Sequence, residues 1–313
     1  MPETIPGIHH VTTIGGDPER NRTFYTETLG LRLVKRSVNQ DDVSVYHLFY
    51  GDYSGSPGTS MTFFPYSNAR SGQVGIGQVS TTQFLIPDSS VDYWIERLAE
   101  EAVDTAEPHE RFGDTVIPFR DPDGLPLELV ARTDAPSGDP PDGPIPEDHA
   151  IRGFFGVALC LTSASSTATL LKQMGFRETE TDRNRHRYEA DGDVGYVVDL
   201  LEDPQAQQGQ PGAGTVHHVA FRVTADTQSE WRDVLIDHGL RPTEVIDRKW
   251  FKSVYALTSG GVLFELATKS PGYTVDEDIT ELGEQLVLPE WLEDRRDEIE
   301  AGLPALSSTP SSE

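Results

Sequence analysis

The chain has 313 residues, enough for one large or two ordinary domains with real cores. Its formal net charge of −27, with only five lysines, works against nucleic acid and anionic membranes as partners. There is no run of 18 apolar residues to make a membrane-spanning helix, and the one cysteine, Cys160, excludes an internal disulfide.

Acid is spread along the whole length, and 27 aromatic residues lie among patterned strands, so a folded core under an acidic surface is expected. A lysine-poor acidic surface fits a high-salt cytosol, where self-repulsion is screened, and a halophilic source is expected. The start, MPETIPGIHH, has neither a basic nor an apolar segment of the signal-peptide kind, which makes a cytoplasmic protein the expectation. The sequence allows a homo-oligomer but fixes no oligomeric state, because apolar surface patches cannot be read from it.

In chain order the pattern gives four strand–helix–strands units. The first has strands at 8–14, 31–38, 43–50 and 59–65 and a helix over 17–29, with Asp17 as N-cap, Pro18 at N1 and Gly30 at its end. Unit two has a strand at 79–86, a helix at 89–101 and strands up to 131. A Pro/Gly/Asp-rich linker covers 134–148. Unit three follows with a strand at 154–162, a helix at 164–174 ending at Gly175, and strands at 176–189 and 194–201. Unit four has a strand at 216–223, a helix at 226–238 ending at Gly239, and strands at 242–248, 252–258 and 261–267. A tail with a helical segment at 289–302 ends in SSTPSSE, read as disordered. The expectation is an α+β fold of two domains: 1–133 with units one and two, then 134–150 as linker, 151–270 with units three and four, and 271–313 as a helical tail.

Residues 79–132 align with 216–269 without a gap: Phe84, Trp94, Leu98, Arg111, Gly124 and Glu128 meet Phe221, Trp231, Leu235, Arg248, Gly261 and Glu265. The pair His217-His218 faces Ser80-Thr81, whereas His9-His10 opens unit one in a matching context. Alternation along 216–223 puts Val219, Phe221 and Val223 on a packed face with His217 at its edge, and points His218 the other way. By the same rule His10 faces away from Val11, and Glu265 projects opposite Val262, Phe264 and Leu266. Two neutral imidazoles and one carboxylate, with open positions left for substrate and dioxygen, describe a non-haem Fe(II) oxygenase site. Mn(II) fits the same ligands; Zn(II) fits by ligand type but cannot pass electrons to oxygen. Glu128, without histidine partners, reads as structural or vestigial. His47, His109, His149, His186 and His238 stand alone and are expected on the surface or in loops, and Cys160 in the core.

The repeated units, the motifs G-I-H-H-V-T (7–12) and H-H-V-A-F-R-V (217–223), the terminal G-x-x-x-E, the I-P-E-D-H-A-I-R-G-F stretch (145–154) and the tail 291–306 resemble the vicinal oxygen chelate superfamily. The match is best to its ring-cleaving dioxygenases that open hydroquinones. The resemblance implies four βαβββ modules and Fe(II) on His10, His218 and Glu265. It also implies His9 and His217 beside the ligands as candidate acid–base groups, Thr12 near the substrate, and Arg248 and Tyr255 lining the substrate pocket. Arg248 suits a phenolate in its own right, although its partner Arg111 leaves a shared structural role open. The implied partners are a small dihydroxylated aromatic and O2. Two other readings are a glyoxalase-type isomerase, which would want a second carboxylate that 59–64 (TSMTFF) lacks, and a metal-free binding protein, which the His-His pairs argue against.

Overall fold

The computed structural model describes residues 2–307, so the end of the chain from Ser308 lies outside the described residues. Module one comprises β1 (Ile8–Gly15), α1 (Pro18–Thr23), β2 (Arg32–Asn39), β3 (Asp42–Gly51) and β4 (Ser60–Pro65). Module two comprises β5 (Gln78–Pro87), α2 (Val91–Glu100), β6 (His109–Arg111), β7 (Asp114–Arg120) and β8 (Pro126–Arg132). Module three comprises β9 (Phe154–Leu161), α3 (Ser165–Met174), β10 (Arg177–Asp182), β11 (Arg185–Glu189) and β12 (Val197–Glu202). Module four comprises β13 (Thr215–Val223), α4 (Gln228–Asp237), β14 (Ile246–Asp247), β15 (Lys252–Leu257) and β16 (Leu263–Thr268).

These strands form two curled mixed sheets of eight, in the orders β14-β15-β16-β13-β1-β4-β3-β2 and β10-β11-β12-β9-β5-β8-β7-β6. Module four therefore pairs with module one, and module two with module three. The linear halves expected on either side of the linker are not the halves the sheets make. The reason lies in the first strand of each module, which keeps one edge free: β1 pairs antiparallel with β13, and β5 with β9. The two domains are thus built across the linker.

Local chemistry explains the elements. Asp17 caps α1, its side chain accepting from the Arg20 N–H. The helix expected over 17–29 stops being α-helical at Thr23 and continues as a π-helical stretch, Phe24–Thr28, ending at Gly30 with φ +70°. In α2, Trp94 and Leu98 lie one turn apart and are fully buried; Trp231 and Leu235 repeat this in α4. The strand expected at 242–248 is reduced to Ile246–Asp247, downstream of Pro242, which has no N–H for a ladder. The helix expected at 289–302 begins as a 3-10 stretch, Glu290–Arg295, before α5 (Arg296–Gly302). The tail folds back on β2: Arg32 donates to the carbonyls of Ile279 and Thr280, and fully buried Lys35 donates to the Tyr273 carbonyl and pairs with Asp276 and Glu277. No helix is long and apolar enough to cross a membrane among the described residues.

Candidate metal centre

The two His-His pairs lie at β-bulges. Along β1 and β13, Ile8 faces Phe221 but His10 faces Ala220, so His9 is an extra residue in β1. Thr12 faces His218 but Thr13 faces Val216, so His217 is the extra residue in β13. A bulge breaks strict alternation and re-aims the side chains beside it. Both histidines of each pair consequently meet: the Nδ1 atoms of His9 and His10 are 3.0 Å apart, and those of His217 and His218 are 2.8 Å apart. Strict alternation left His217 at the edge of a packed face; instead it is exposed and lines the same cavity as His218.

His10, His218 and Glu265 are buried and bring one ligand atom each to a common point. Glu265 Oε2 stands 2.8 Å from His218 Nε2 and 3.2 Å from His10 Nε2, and the two nitrogens are 3.3 Å apart. Metal–ligand bonds of about 2.1 Å at right angles put donor atoms about 3 Å apart, which these separations match. Glu265 Oε1 accepts a hydrogen bond from Ser253 Oγ, while Oε2 has no donor in hydrogen-bonding geometry although it is buried. A buried carboxylate oxygen without a donor, facing two imidazole nitrogens, fits a divalent cation between them.

Protonation fits as well. Burial pushes His218 down to about 4 and His9 to about 3, so both are neutral imidazoles near pH 7. Burial opposes ionisation of Glu265, but positive charge on the facing His10 and His218 rings outweighs it and holds the carboxyl well below the usual range; a divalent cation between neutral rings would supply that charge in their place. For each Nε2 to offer a lone pair, the Nδ1 of His10 and of His218 must carry the ring proton and donate to Nδ1 of His9 and His217. The outer histidines thus set the tautomer of the inner ones.

The triad opens into a cavity of about 460 Å³. Phe49, Phe64, Trp250 and Phe251 wall it, and His47, His217, Arg248 and Tyr255 add polar groups. Arg248 pairs with exposed Asp41 at 2.9 Å, and its guanidinium lies 5.5 Å from the Tyr255 ring centroid. Burial, reinforced by the Glu265 charge, raises the Tyr255 hydroxyl well above its ordinary value, so it stays a donor. Thr12 is fully buried and bonds Thr62 Oγ1 at 2.8 Å; it is not among the cavity-lining residues. His47 departs from the expectation of a surface or loop residue: it sits on β3 and lines the cavity. His109, His149, His186 and His238 do not line it.

Strand pairing also shows why no fourth such side chain joins the cluster among the described residues. Glu265 lies opposite Tyr255, and Thr62 lies opposite Phe49 at the equivalent place in module one. Each follows a glycine by four residues, Gly261 and Gly58. The second carboxylate of a four-ligand site would stand where this chain has Thr62.

The second sheet keeps the design without the histidines. Its bulges recur at Ser80 and Phe155. Glu128 takes the place of Glu265 but accepts from Arg111 through both oxygens, at 2.6 and 2.9 Å, and from Gln83 at 2.8 Å.

A family profile described as the Glyoxalase/Bleomycin resistance protein/Dioxygenase superfamily matches residues 7–129. The chain is 42% identical to Bacillus subtilis MhqO, named "Putative ring-cleaving dioxygenase", over 97% of each chain. It is 34% identical to the chlorohydroquinone/hydroquinone 1,2-dioxygenase of Sphingobium indicum, over 96% of each. A Bacillus subtilis crystal structure at 40% identity superposes with a TM-score of 0.94, covering 98% of this chain and 99% of that one. Maize glyoxalase I, at 17% identity, shares the fold with a TM-score of 0.63 over 84% of this chain and 92% of its own.

Proposed function

From the premise that the chain belongs to the glyoxalase/bleomycin resistance protein/dioxygenase superfamily, we propose that it is an Fe(II)-dependent dioxygenase that opens the ring of a hydroquinone-type or other dihydroxylated aromatic, adding both atoms of O2. The observation that carries this reading is the three-donor set His10–His218–Glu265, with Thr62 at the place of a fourth ligand, facing an aromatic-walled cavity. A closed four-ligand set would favour isomerase chemistry; three donors leave room for two reactants.

Bound by these residues, Fe(II) supplies the electrons that make O2 reactive and acidifies a phenol held beside it. The protein's part is positional. Phe49, Phe64, Trp250 and Phe251 hold the ring and exclude water. Arg248 places a positive charge at the cavity to favour a phenolate, with Asp41 and Tyr255 fixing the guanidinium. His217, whose Nδ1 is committed to His218, carries its proton at Nε2 and can donate it to a substrate oxygen. His9, fully enclosed beside His10, orients that ligand. Thr12 acts through Thr62.

The test is anaerobic reconstitution of metal-free protein with Fe(II), Mn(II) or Zn(II), followed by oxygen uptake with hydroquinones, catechols and hemithioacetals. Uptake with an aromatic diol in the Fe(II) form is expected. An iron-loaded protein that consumes oxygen with none of the diols sinks the reading.

A further inference from the structure

The cavity is asymmetric in a way the metal ligands do not explain. On the module-four side, Ser253 steadies Glu265. Two strand positions place His47 in module one where Ser253 lies in module four, since each precedes by two the residue opposite Thr62 or Glu265. Thr62 is fully buried, and its hydroxyl sits between Thr12 Oγ1 at 2.8 Å and His47 Nε2 at 3.1 Å. The His47 ring is packed by Phe49 and Phe64, with centroids 3.8 and 4.4 Å away. Its other nitrogen, Nδ1, has no hydrogen-bond partner among the described residues, and the ring lines the cavity.

A ring tethered at one nitrogen and packed by two aromatics has lost its freedom before any ligand arrives, so a hydrogen bond from the other nitrogen costs little further ordering. An aromatic that reaches the metal centre through one oxygen keeps its second oxygen free to meet that nitrogen. Burial keeps the imidazole neutral, so it does not repel the cationic centre nearby.

We propose that His47 is a substrate-contacting residue that binds the second hydroxyl of the aromatic diol through Nδ1, making it a determinant of preference for diols over monophenols. This rests on the ring-cleavage reading above. Thr62 and Thr12 fix the ring from behind, which gives the buried Thr12 a purpose without contact to substrate.

The experiment measures anaerobic binding of hydroquinone and of phenol to the Fe(II)-loaded full chain, with no turnover needed. Wild type should prefer hydroquinone by about tenfold. His47→Leu should reduce that preference to about twofold or less, with iron content and melting temperature unchanged, and His47→Gln should fall between. Thr62→Val, which cuts the tether and leaves the ring, should also lower the preference, and it carries the test if His47→Leu fails to fold. A folded, iron-loaded His47→Leu that keeps the full preference overturns the proposal, as does a wild type with none. A wild type that binds diol selectively but consumes no oxygen overturns the ring-cleavage reading while leaving the contact in place.

Discussion

In the sheet of modules one and four, Glu265 meets two imidazoles; in the sheet of modules two and three, Glu128 meets Arg111 and Gln83. Both carboxylates are buried and both need a positive partner, because an isolated buried charge is too costly. The second sheet answers with a guanidinium from within the protein. The first withholds it: Arg248, the repeat counterpart of Arg111, reaches Asp41 and the cavity instead. The bulges at His9, His217, Ser80 and Phe155 are common to both sheets, so they belong to the scaffold. What distinguishes the sheets is which side chains the bulges re-aim and which way one arginine turns.

The largest effect should come from removing a ligand. His10→Ala or His218→Ala should abolish iron binding, while Thr81→Ala at the equivalent place in the other sheet leaves iron content unchanged. Elemental analysis decides, and iron retained by either histidine variant breaks the contrast between the sheets. Next, Arg111→Leu should destabilise the fold by about 3 kcal/mol, because it leaves Glu128 buried without its cation. Urea denaturation measures this, and a loss below about 1 kcal/mol would show that Glu128 does not depend on Arg111. Ser253→Ala should weaken metal affinity by about 10- to 100-fold, read by chelator competition, because a hydrogen-bond partner of a ligating carboxylate is lost. The equivalent Val116 has no such duty, and Val116→Ala should leave metal affinity alone. The smallest effect belongs to Asp41→Ala, about 0.5 kcal/mol or less in stability, since Asp41 is exposed. A rise in KM for the diol with kcat little changed would show that it positions Arg248.

The modules, the repeat and the three residues that the fold brings together, His10, His218 and Glu265, were legible because alternation, helix caps and a gapless internal alignment all leave local traces. Three things were not. The pairing of module one with module four depends on which free strand edges meet, and no segment of chain encodes that locally. The bulges defeat parity by one residue, which is why His217 was expected at the margin of a packed face rather than against His218. His47 was missed because module one differs from module four at the matched places: Thr62 and His47 stand where module four has Glu265 and Ser253, and strand pairing is what brings His47 into register with Ser253. The resemblance carried Thr12 to the substrate, whereas the structure seats it one layer behind, against Thr62.

The histidines of the triad are 208 residues apart, whereas the strands of the other sheet all fall between Gln78 and Glu202. During synthesis, that inner stretch can complete its own sheet while β1, already made, keeps an unpaired edge until β13 emerges. The His10–His218–Glu265 cluster therefore assembles late, after most of the polypeptide has left the ribosome. Partly made chains hold His9 and His10 without Glu265, and so cannot complete the proposed iron site.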